Sequence, residues 1–245
     1  MIESPVALVT GANKGLGQET ARQLAERGAT VVLGSRDPDL GDVAASDLRS
    51  DGLAVTSVQL DVTDAASVER VAAQLSKDHG RLDILVNNAG ILVDSPALST
   101  TAAEMRTTFE TNLFGVVTVI HTMLPLLRAS TAPRIVNVAS TTASLALISQ
   151  EGSSFGDSDR ILAYAPSKTA VNMLTVQYAQ AFRRDPRYGH FKVNSATPGY
   201  IATDFNNHSG PRTAAQGARV VVQLAMLPDD GPTGGFFNDE GVLPW

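Results

Sequence analysis

The chain has 245 residues, of which 43% are hydrophobic, and a formal net charge of -6 at pH 7. This composition is typical of a globular protein with a large buried core and excludes a mainly disordered chain. The acidic balance and the lack of a dense lysine and arginine run argue against a nucleic-acid-binding protein. The absence of cysteine excludes disulfides and thiolate catalysis, and the four histidines lack the spacing of metal ligands, so we predict no metal site.

Two stretches bear on export and membranes. The first ten residues lack the basic and then apolar segments of a secretory signal, which predicts a cytoplasmic protein. Residues 111–127 are uncharged, but they contain Asn112, His121 and Pro125 and fall short of the roughly 18 to 20 apolar residues that span a bilayer. We therefore predict a buried helix there and no membrane partner.

Short runs rich in β-branched residues alternate with amphipathic stretches along the whole chain. Strands are predicted at 6–10, 29–34, 54–60, 82–87, 134–140, 191–197 and 233–237. Helices are predicted at 17–28, 65–80, 101–128, 163–184 and 213–227. This alternation predicts an α/β fold of the Rossmann type, a doubly wound sheet of about seven parallel strands with helices on both faces. Because no linker or repeat interrupts it, we predict a single domain over 1–245.

The segment TGANKGLG, residues 10–17, directly follows the first predicted strand. Its glycines, Gly11, Gly15 and Gly17, stand at the strand-to-helix turn, where backbone N–H groups and the positive end of a helix face an anion. The spacing differs from the general dinucleotide fingerprint, so that rule applies by analogy. The alternative is a glycine-rich turn without a ligand.

The end of the second strand indicates which dinucleotide binds, because its tip meets the adenosine ribose. A carboxylate there would repel a 2'-phosphate, whereas Ser35 and Arg36 follow this strand, and a guanidinium favours the phosphate. Lys14 offers a second positive charge, although either cation could be an ordinary surface charge. The carboxylate of Asp37, one residue further on, would instead repel a 2'-phosphate. On balance we predict NADP(H) rather than NAD(H).

Tyr164 and Lys168 stand four residues apart at the start of a predicted helix, so their side chains share a face. A phenol with a pKa of about 10 becomes a useful acid or base at neutral pH when a nearby ammonium stabilises the phenolate. Tyr188 and Lys192 repeat the spacing, but they lie between Pro186, Gly189 and a predicted strand, where no helix would align their side chains. Pro166 is tolerated because it falls in the first helical turn.

Seven motifs in a fixed order make the chain resemble the short-chain dehydrogenases/reductases, and in particular their carbonyl reductase subgroup. The motifs are TGANKGLG (10–17), LDVTD (60–64), NNAG (87–90), TNLFG (111–115), IVNVAS (135–140), YAPSK (164–168) and PGYIATD (198–204). They are distributed from residue 10 to residue 204, and the resemblance runs over essentially the whole chain.

The resemblance implies a catalytic tetrad of Asn112, Ser140, Tyr164 and Lys168, with Thr141, Thr142 and Ser144 as alternatives to Ser140. It also implies a set of cofactor-binding residues that line one cleft. These are Gly11, Asn13, Lys14, Gly15, Leu16, Gly17, Arg36, Asp61, Val62, Asn88, Ala89, Gly90, Tyr164, Lys168, Pro198, Gly199, Ile201 and Thr203.

The implied reaction is the NADPH-dependent reduction of a ketone, aldehyde or quinone. Ser140 and Tyr164 would hydrogen-bond the substrate carbonyl, and Tyr164 would protonate its oxygen as hydride arrives from the nicotinamide. Lys168 would lower the pKa of Tyr164 and hold the nicotinamide ribose, while Asn112 would position a water. The alternatives are an NAD-dependent alcohol dehydrogenase of the same fold and a non-catalytic NADP-sensing regulator.

Between Ser140 and Tyr164 lie 23 residues, and their polar, glycine-rich part SQEGSSFGDSDR predicts an irregular inserted loop within 141–160, near the substrate site. The resemblance to monomeric carbonyl reductases, which lengthen the same segment, implies that the insertion covers helices otherwise used for pairing. We therefore favour a monomer over a dimer or tetramer. The segment after Thr203 is short for a lid, which predicts an open pocket. Its candidate apolar lining is Val93, Leu145, Phe155, Tyr200 and Phe205.

Overall fold

The computed structural model describes residues 4–150, 152 and 158–245. Its strands are β1 (Val6–Val9), β2 (Thr30–Ser35), β3 (Val55–Gln59), β4 (Ile84–Asn87), β5 (Arg134–Val138), β6 (Lys192–Ala196), β7 (Phe236–Asn238) and β8 (Gly241–Val242). Within the described residues they form one sheet with the order β3-β2-β1-β4-β5-β6-β7-β8. Neighbouring strands are parallel except for β7 and β8, which are antiparallel.

Helices cover both faces of this sheet. They are α1 (Gly15–Glu26), α2 (Pro38–Ser50), α3 (Ala65–Asp78), α4 (Ala102–Phe109), α5 (Gly115–Arg128), α6 (Leu145–Ile148), α7 (Tyr164–Arg184) and α8 (Ala214–Ala225). A π-helical segment, Glu110–Phe114, joins α4 to α5, and short 3-10 turns occupy Thr141–Ala143, Pro186–Tyr188 and Asp204–Asn206. The predicted Rossmann-type fold class is confirmed, and the short β8 is the strand that the sequence did not predict.

The sheet divides the core into two layers, and strand β1 contributes side chains to both. Its side chains alternate, so that Ala7 and Val9 join the apolar cluster under α1, α2 and α8. Val6 and Leu8 join the cluster under α3, α5 and α7. Because helices bury both faces, the central strands are continuous apolar runs rather than alternating ones.

The sheet reverses its direction of winding between β1 and β4. From β1 the chain proceeds outward to β2 and β3, and then returns to place β4 on the other side of β1. In sheets of this kind a crevice opens beyond the carboxyl ends of the two strands at the reversal point, and ligands bind there. The segments that follow β1 and β4 therefore define the place for a cofactor.

Helix α2 is absent from the helices predicted from sequence, because its stretch contains Pro38 and Gly41 and has little apolar periodicity. Pro38 stands in the first turn, where proline is tolerated, and the Asp37 carboxylate caps the helix by accepting from Leu40 N at 3.2 Å. A Cβ at Gly41 would lie 2.9 Å from Ser35 Cβ, so glycine lets α2 pack closely on β2.

The single helix predicted over 101–128 is divided by the π-helical segment into α4 and α5. Within residues 102–128 an 18-residue window has a mean hydropathy of 1.3, so the stretch is long and apolar enough to span a membrane by length and composition alone. However, Val119, Ile120 and Met123 have no exposed surface and pack in the core cluster under α3, α5 and α7. This packing is that of a helix in the core of the fold.

The insertion before α7 is partly regular where a loop was predicted over 141–160. A 3-10 turn, Thr141–Ala143, leads into α6, whose backbone N–H at Ala146 donates to the Trp245 carbonyl at 3.0 Å. The C-terminal tail thus holds the beginning of the insertion. Residues 151 and 153–157 of the predicted loop, including Phe155, lie outside the described residues.

Replacing Leu8 by alanine should destabilise the fold by about 2 to 5 kcal/mol, because the side chain is fully buried and its removal leaves a cavity. Urea denaturation of the wild type and the variant measures this loss. Leu98→Ala is the matched control, since Leu98 is fully exposed, and its effect should stay within about 0.5 kcal/mol. Equal losses for both variants would contradict the central position of β1.

Candidate active site

The turn after β1 is tied to the segment after β4 by hydrogen bonds. The Thr10 hydroxyl accepts from the backbone N–H groups of Asn88 and Ala89, at 3.0 Å each. The Asn88 side-chain amide donates to the carbonyls of Thr10 and Gly11, at 2.9 Å each. The two segments at the reversal point of the sheet therefore form one rigid floor.

Glycine is required at several positions of this floor. Gly11 and Gly15 have φ angles of +61° and +57°, which side chains rarely adopt. A Cβ at Gly17 would lie 2.5 Å from Asn88 Nδ2 and 2.6 Å from the Gly11 carbonyl oxygen. The three glycines thus permit both the turn and the close approach of α1 to β4.

The first turn of α1 has the donors that a dinucleotide pyrophosphate needs. Helix α1 begins at Gly15. Its N-cap residue is Lys14, whose side chain forms no capping hydrogen bond. The unpaired N–H groups of a helix N-terminus attract anions, and the helix dipole favours negative charge at the same place. Asn13 and Leu16 belong to the same turn. The residues present therefore fit a dinucleotide.

At the tip of β2 the charges favour a 2'-phosphate. From the sequence alone, the Asp37 carboxylate counts against a bound 2'-phosphate. In the structure this carboxylate caps α2. Ser35 is buried and donates to the Asp37 carbonyl at 2.6 Å. Arg36 is exposed, and the structure shows no carboxylate paired with it in the described part of the chain.

Two further predicted cofactor residues lie just after β3. The Asp61 carboxylate accepts from the backbone N–H and the hydroxyl of Thr63, at 2.9 and 2.7 Å, and so shapes the turn before α3. Val62 is buried, and its side chain would be 2.8 Å from a Cβ at Gly115. Val62 is therefore fixed by packing against the start of α5.

Tyr164, Lys168 and Ser140 converge at the carboxyl end of β5. Helix α7 begins at Tyr164, and the Lys168 ammonium one turn later lies 5.8 Å from the centre of the Tyr164 ring. The Ser140 hydroxyl lies next to the Tyr164 hydroxyl, where a hydrogen bond to the phenolate favours a lower pKa. Lys168 is 4% exposed, and its ammonium donates to the Val138 carbonyl at 2.8 Å. The Thr142 hydroxyl lies 2.9 Å from the Ser140 hydroxyl and forms a hydrogen bond with it.

The pKa values of this pair differ from the expectation that Lys168 acidifies the phenol. Burial raises the pKa of Tyr164 to about 12, and the hydrogen bond from Ser140 offsets only part of this rise. Burial also lowers the pKa of Lys168 to about 8, because desolvation disfavours the ammonium. Within the protein alone, Tyr164 is therefore a protonated phenol at neutral pH.

Asn112 lies fully buried in the π-helical segment and connects two parts of the site. Its side chain accepts from Ile91 N at 2.8 Å and donates to the Ile91 carbonyl and the Ser167 hydroxyl, at 3.0 Å each. Ser167 in turn donates to the Tyr164 carbonyl at 2.6 Å. Both amide hydrogens of Asn112 are thus used within the protein. A Cβ at Gly90 would lie 3.4 Å from Asn112 Oδ1, so the NNAG segment passes directly beside this side chain.

The segment after β6 folds back on itself over the crevice. Ile201 and Arg212 form an isolated β-bridge, and Ala202 N donates to the Arg212 carbonyl at 2.7 Å. The Arg212 guanidinium pairs with Asp239 of the C-terminal tail at 2.8 and 2.5 Å. Gly199 has a φ of +72°, and a Cβ there would lie 2.9 Å from Arg212 Nη1. The segment is therefore a closed loop fastened to the tail.

The 3-10 turn Asp204–Asn206 brings this loop onto both halves of the site. The Thr203 methyl would lie 3.4 Å from a Cβ at Gly15, so the loop rests on the glycine turn. The Phe205 ring packs on the Tyr164 ring with centroids 5.6 Å apart and an interplanar angle of 59°. Pro198, at the start of the loop, contacts α8 near Gly217.

Lys14 does not reach toward the tip of β2. Its ammonium pairs with the Asp204 carboxylate at 2.8 Å, and both side chains are more than half exposed. The nearby His208 ring also contacts Asp204, at 2.8 Å.

The candidate lining residues divide between two places. Phe205 lies on Tyr164, and Tyr200 is exposed on the same loop, where its hydroxyl contacts Ser209. Leu145 lines a groove of about 560 Å³ with Thr142, Ala170 and Met173. That Leu145 lines the substrate pocket stays a prediction. Val93 is partly buried in the loop after β4.

Comparison with known proteins decides the family. The short chain dehydrogenase family profile matches residues 5–214. The chain belongs to the short-chain dehydrogenase family. It is 36% identical to (-)-isopiperitenone reductase of Mentha piperita, with 97% of each chain covered. It is 33% identical to carbonyl reductase 1 of Sus scrofa, an enzyme named for NADPH, with 98% of this chain and 94% of the relative covered.

Solved structures of short-chain dehydrogenases give the same result. The NADPH-bound carbonyl reductase from chicken fatty liver superposes with a TM-score of 0.86, 26% identity and complete coverage of both chains. Salutaridine reductase from Papaver somniferum superposes with a TM-score of 0.82 and 33% identity, covering 96% of this chain and 99% of that one. These matches confirm the predicted family, its likeness to carbonyl reductases and the prediction of an oxidoreductase.

Several residues of this short-chain dehydrogenase site have partners that the sequence did not reveal. Ser167 belongs to the YAPSK motif and Asp204 to PGYIATD, but neither had been given a role. The pairing of Arg212 with Asp239 spans 27 residues and has no local sequence signal.

Replacing Gly17 by alanine should lower the free energy of unfolding by about 1 to 3 kcal/mol, because the added methyl overlaps Asn88 and Gly11 at under 3 Å. Chemical denaturation measures the loss. Gly189→Ala is the control, since the nearest atom to a Cβ there is the Pro186 carbonyl oxygen at 3.9 Å. A Gly17 variant as stable as the Gly189 variant would refute the close contact between α1 and β4.

Proposed function

We propose that this protein is an NADPH-dependent reductase that transfers a hydride to the carbonyl of a ketone, aldehyde or quinone, with Tyr164 as the general acid. The observation that carries the proposal is the convergence of Ser140, Tyr164 and Lys168 beside the glycine turn. A hydroxyl pair and a buried ammonium next to a dinucleotide cleft are the groups that carbonyl reduction requires. The likeness to carbonyl reductases supports the same reaction.

NADP(H) is the cofactor, and when bound it supplies the hydride from its nicotinamide ring. The N–H groups at the start of α1 hold the pyrophosphate, and the exposed Arg36 meets the 2'-phosphate. The remaining predicted contacts lie along the same crevice. Asp61 and Val62 flank the adenine, Asn88, Ala89 and Gly90 line the floor, and Pro198, Gly199, Ile201 and Thr203 bracket the nicotinamide.

Tyr164 acts as an acid because its hydroxyl keeps its proton at neutral pH. Its pKa of about 12 reflects burial, and Ser140 orients the hydroxyl through their hydrogen bond. As the carbonyl becomes an alkoxide, proton transfer from the phenol is downhill, because an alkoxide is the stronger base. Ser140 then provides a second hydrogen bond to the same oxygen.

Lys168 stabilises the phenolate that remains after proton transfer. Its ammonium lies 5.8 Å from the centre of the ring, in a buried site where screening by water is weak. Asn112 holds neighbouring segments of the site in position and does not touch the reacting atoms. It fastens Ile91 and Ser167, and through Ser167 it holds the first turn of α7 in place.

The alternatives have less support. An NAD-dependent dehydrogenase would profit from a free carboxylate at the tip of β2, whereas Asp37 caps α2 and Arg36 is the exposed charge. A regulator that only senses the cofactor has no need for Ser140, Tyr164 and Lys168 to meet. A cytoplasmic monomer, acting on small molecules and without nucleic-acid or membrane partners, remains our proposal for the state of the protein.

Tyr164→Phe should lower turnover by about 100- to 10,000-fold, because the general acid is lost. Turnover is followed by the loss of NADPH absorbance with a panel of ketones, quinones and aldehydes, and NADPH binding by calorimetry should persist. Tyr188→Phe is the matched control, since Tyr188 has the same spacing to a lysine but lies in a 3-10 turn. Near-normal turnover of the Tyr164 variant would assign the acid to another residue.

The affinity for NADPH should depend on the protonation of Lys168. Because burial lowers its pKa to about 8, the ammonium that holds the nicotinamide ribose is present below that pH and lost above it. The dissociation constant should therefore be steady near neutrality and increase as pH rises through 8. Lys168→Met should bind more weakly and show no such dependence. A wild-type affinity that is flat through this range would contradict the assigned role of the ammonium.

A further inference from the structure

The pairing of Lys14 with Asp204 connects two cofactor-site segments that are far apart in sequence. Lys14 belongs to the glycine turn, and Asp204, 190 residues away, is the last residue of the PGYIATD motif in the loop after β6. Their charged atoms lie 2.8 Å apart. His208 contacts the other Asp204 oxygen at 2.8 Å, so both oxygens of the carboxylate have a partner.

Asp204 therefore stands against the anion-binding end of α1. Its neighbour Thr203 rests on Gly15, the first residue of that helix. A carboxylate at this place opposes the phosphates of a dinucleotide, unless a cation lies between them. The same contacts keep the carboxylate ionised, because the hydrogen bond and charge of Lys14, followed by those of His208, lower the pKa of Asp204.

Lys14 can consequently pair with either of two anions, the Asp204 carboxylate or the 2'-phosphate of the cofactor. Its side chain is 63% exposed and that of Asp204 is 51% exposed, and an exposed pair of this kind is weak and easily exchanged. A phosphate with up to two negative charges and three acceptor oxygens attracts an ammonium more strongly than one carboxylate does. Lys14 can therefore move to the 2'-phosphate, but it loses its contact with Asp204 when it does so.

We propose that Asp204 is a specificity-determining residue for the cofactor, because it competes with the 2'-phosphate of NADPH for Lys14. The proposal rests on the proposed function insofar as that function places the dinucleotide in the crevice beside α1. Arg36 supplies the lasting attraction to the 2'-phosphate, and the carboxylate of Asp204 sets how much Lys14 adds to it. The preference for NADPH over NADH is thus lower than the two cations alone would produce.

Asp204→Asn tests the proposal, because asparagine keeps the shape of the side chain and removes its charge. NADPH should bind about three- to five-fold more tightly, as expected for release of an exposed ion pair. NADH, which shares the pyrophosphate but lacks the 2'-phosphate, should gain clearly less. Both dissociation constants are measured by calorimetry without a carbonyl substrate, and thermal melting checks that the variant is folded.

Asp51→Asn is the matched control. Asp51 pairs with Arg22 at 2.6 Å and is 52% exposed, so its replacement removes the same charge from a similar ion pair on α1. It should leave the affinities for both cofactors unchanged. A gain with this control as large as that with Asp204→Asn would reveal a general effect of net charge and would overturn the proposal.

A double substitution isolates the role of Lys14. Lys14→Gln should weaken NADPH binding relative to NADH, and adding Asp204→Asn to it should produce no gain. The proposal is overturned if Asp204→Asn has no effect, improves both cofactors equally or still improves NADPH binding in the Lys14→Gln background. These outcomes are separate from a failure of the reductase assignment, which the Tyr164→Phe comparison of turnover detects on its own.

Discussion

The close contact between the turn after β1 and the segment after β4 is the constraint on which the rest of the site depends. Asn88 spans the two by donating to the carbonyls of Thr10 and Gly11, and Gly17 has no side chain to push them apart. This contact lies where the sheet reverses its winding, and so it fixes the first turn of α1 at the mouth of the crevice. The anion-binding N–H groups are held in place before any ligand arrives.

The residues proposed as catalytic depend on the same sheet but on a different balance of forces. Burial keeps the phenol of Tyr164 protonated and at the same time reduces the tendency of Lys168 to carry charge. Desolvation therefore acts on both groups in the direction of neutrality. The reduction of a carbonyl profits from this balance, because its general acid has to keep a proton until negative charge develops on the substrate oxygen.

The loop after β6 connects the two halves of the crevice physically. Its turn places Asp204 on Lys14 and the next residue, Phe205, on Tyr164. The bridge between Ile201 and Arg212, together with the pairing of Arg212 with Asp239, fixes the loop to the tail. The residue that contacts Lys14 and the residue that contacts the phenol are thereby neighbours on one short segment.

The amino-acid sequence by itself determined the order of strands and helices, the glycine turn and the pairing of Tyr164 with Lys168, because each of these follows from short-range spacing. It missed α2, whose Pro38 and Gly41 conceal the helical pattern, and β8, which depends on antiparallel pairing with β7. The tertiary structure alone decided that Asp37 caps a helix and that Lys14 pairs with Asp204. Those outcomes depend on contacts between distant segments and on the extent of burial, which residue spacing does not contain.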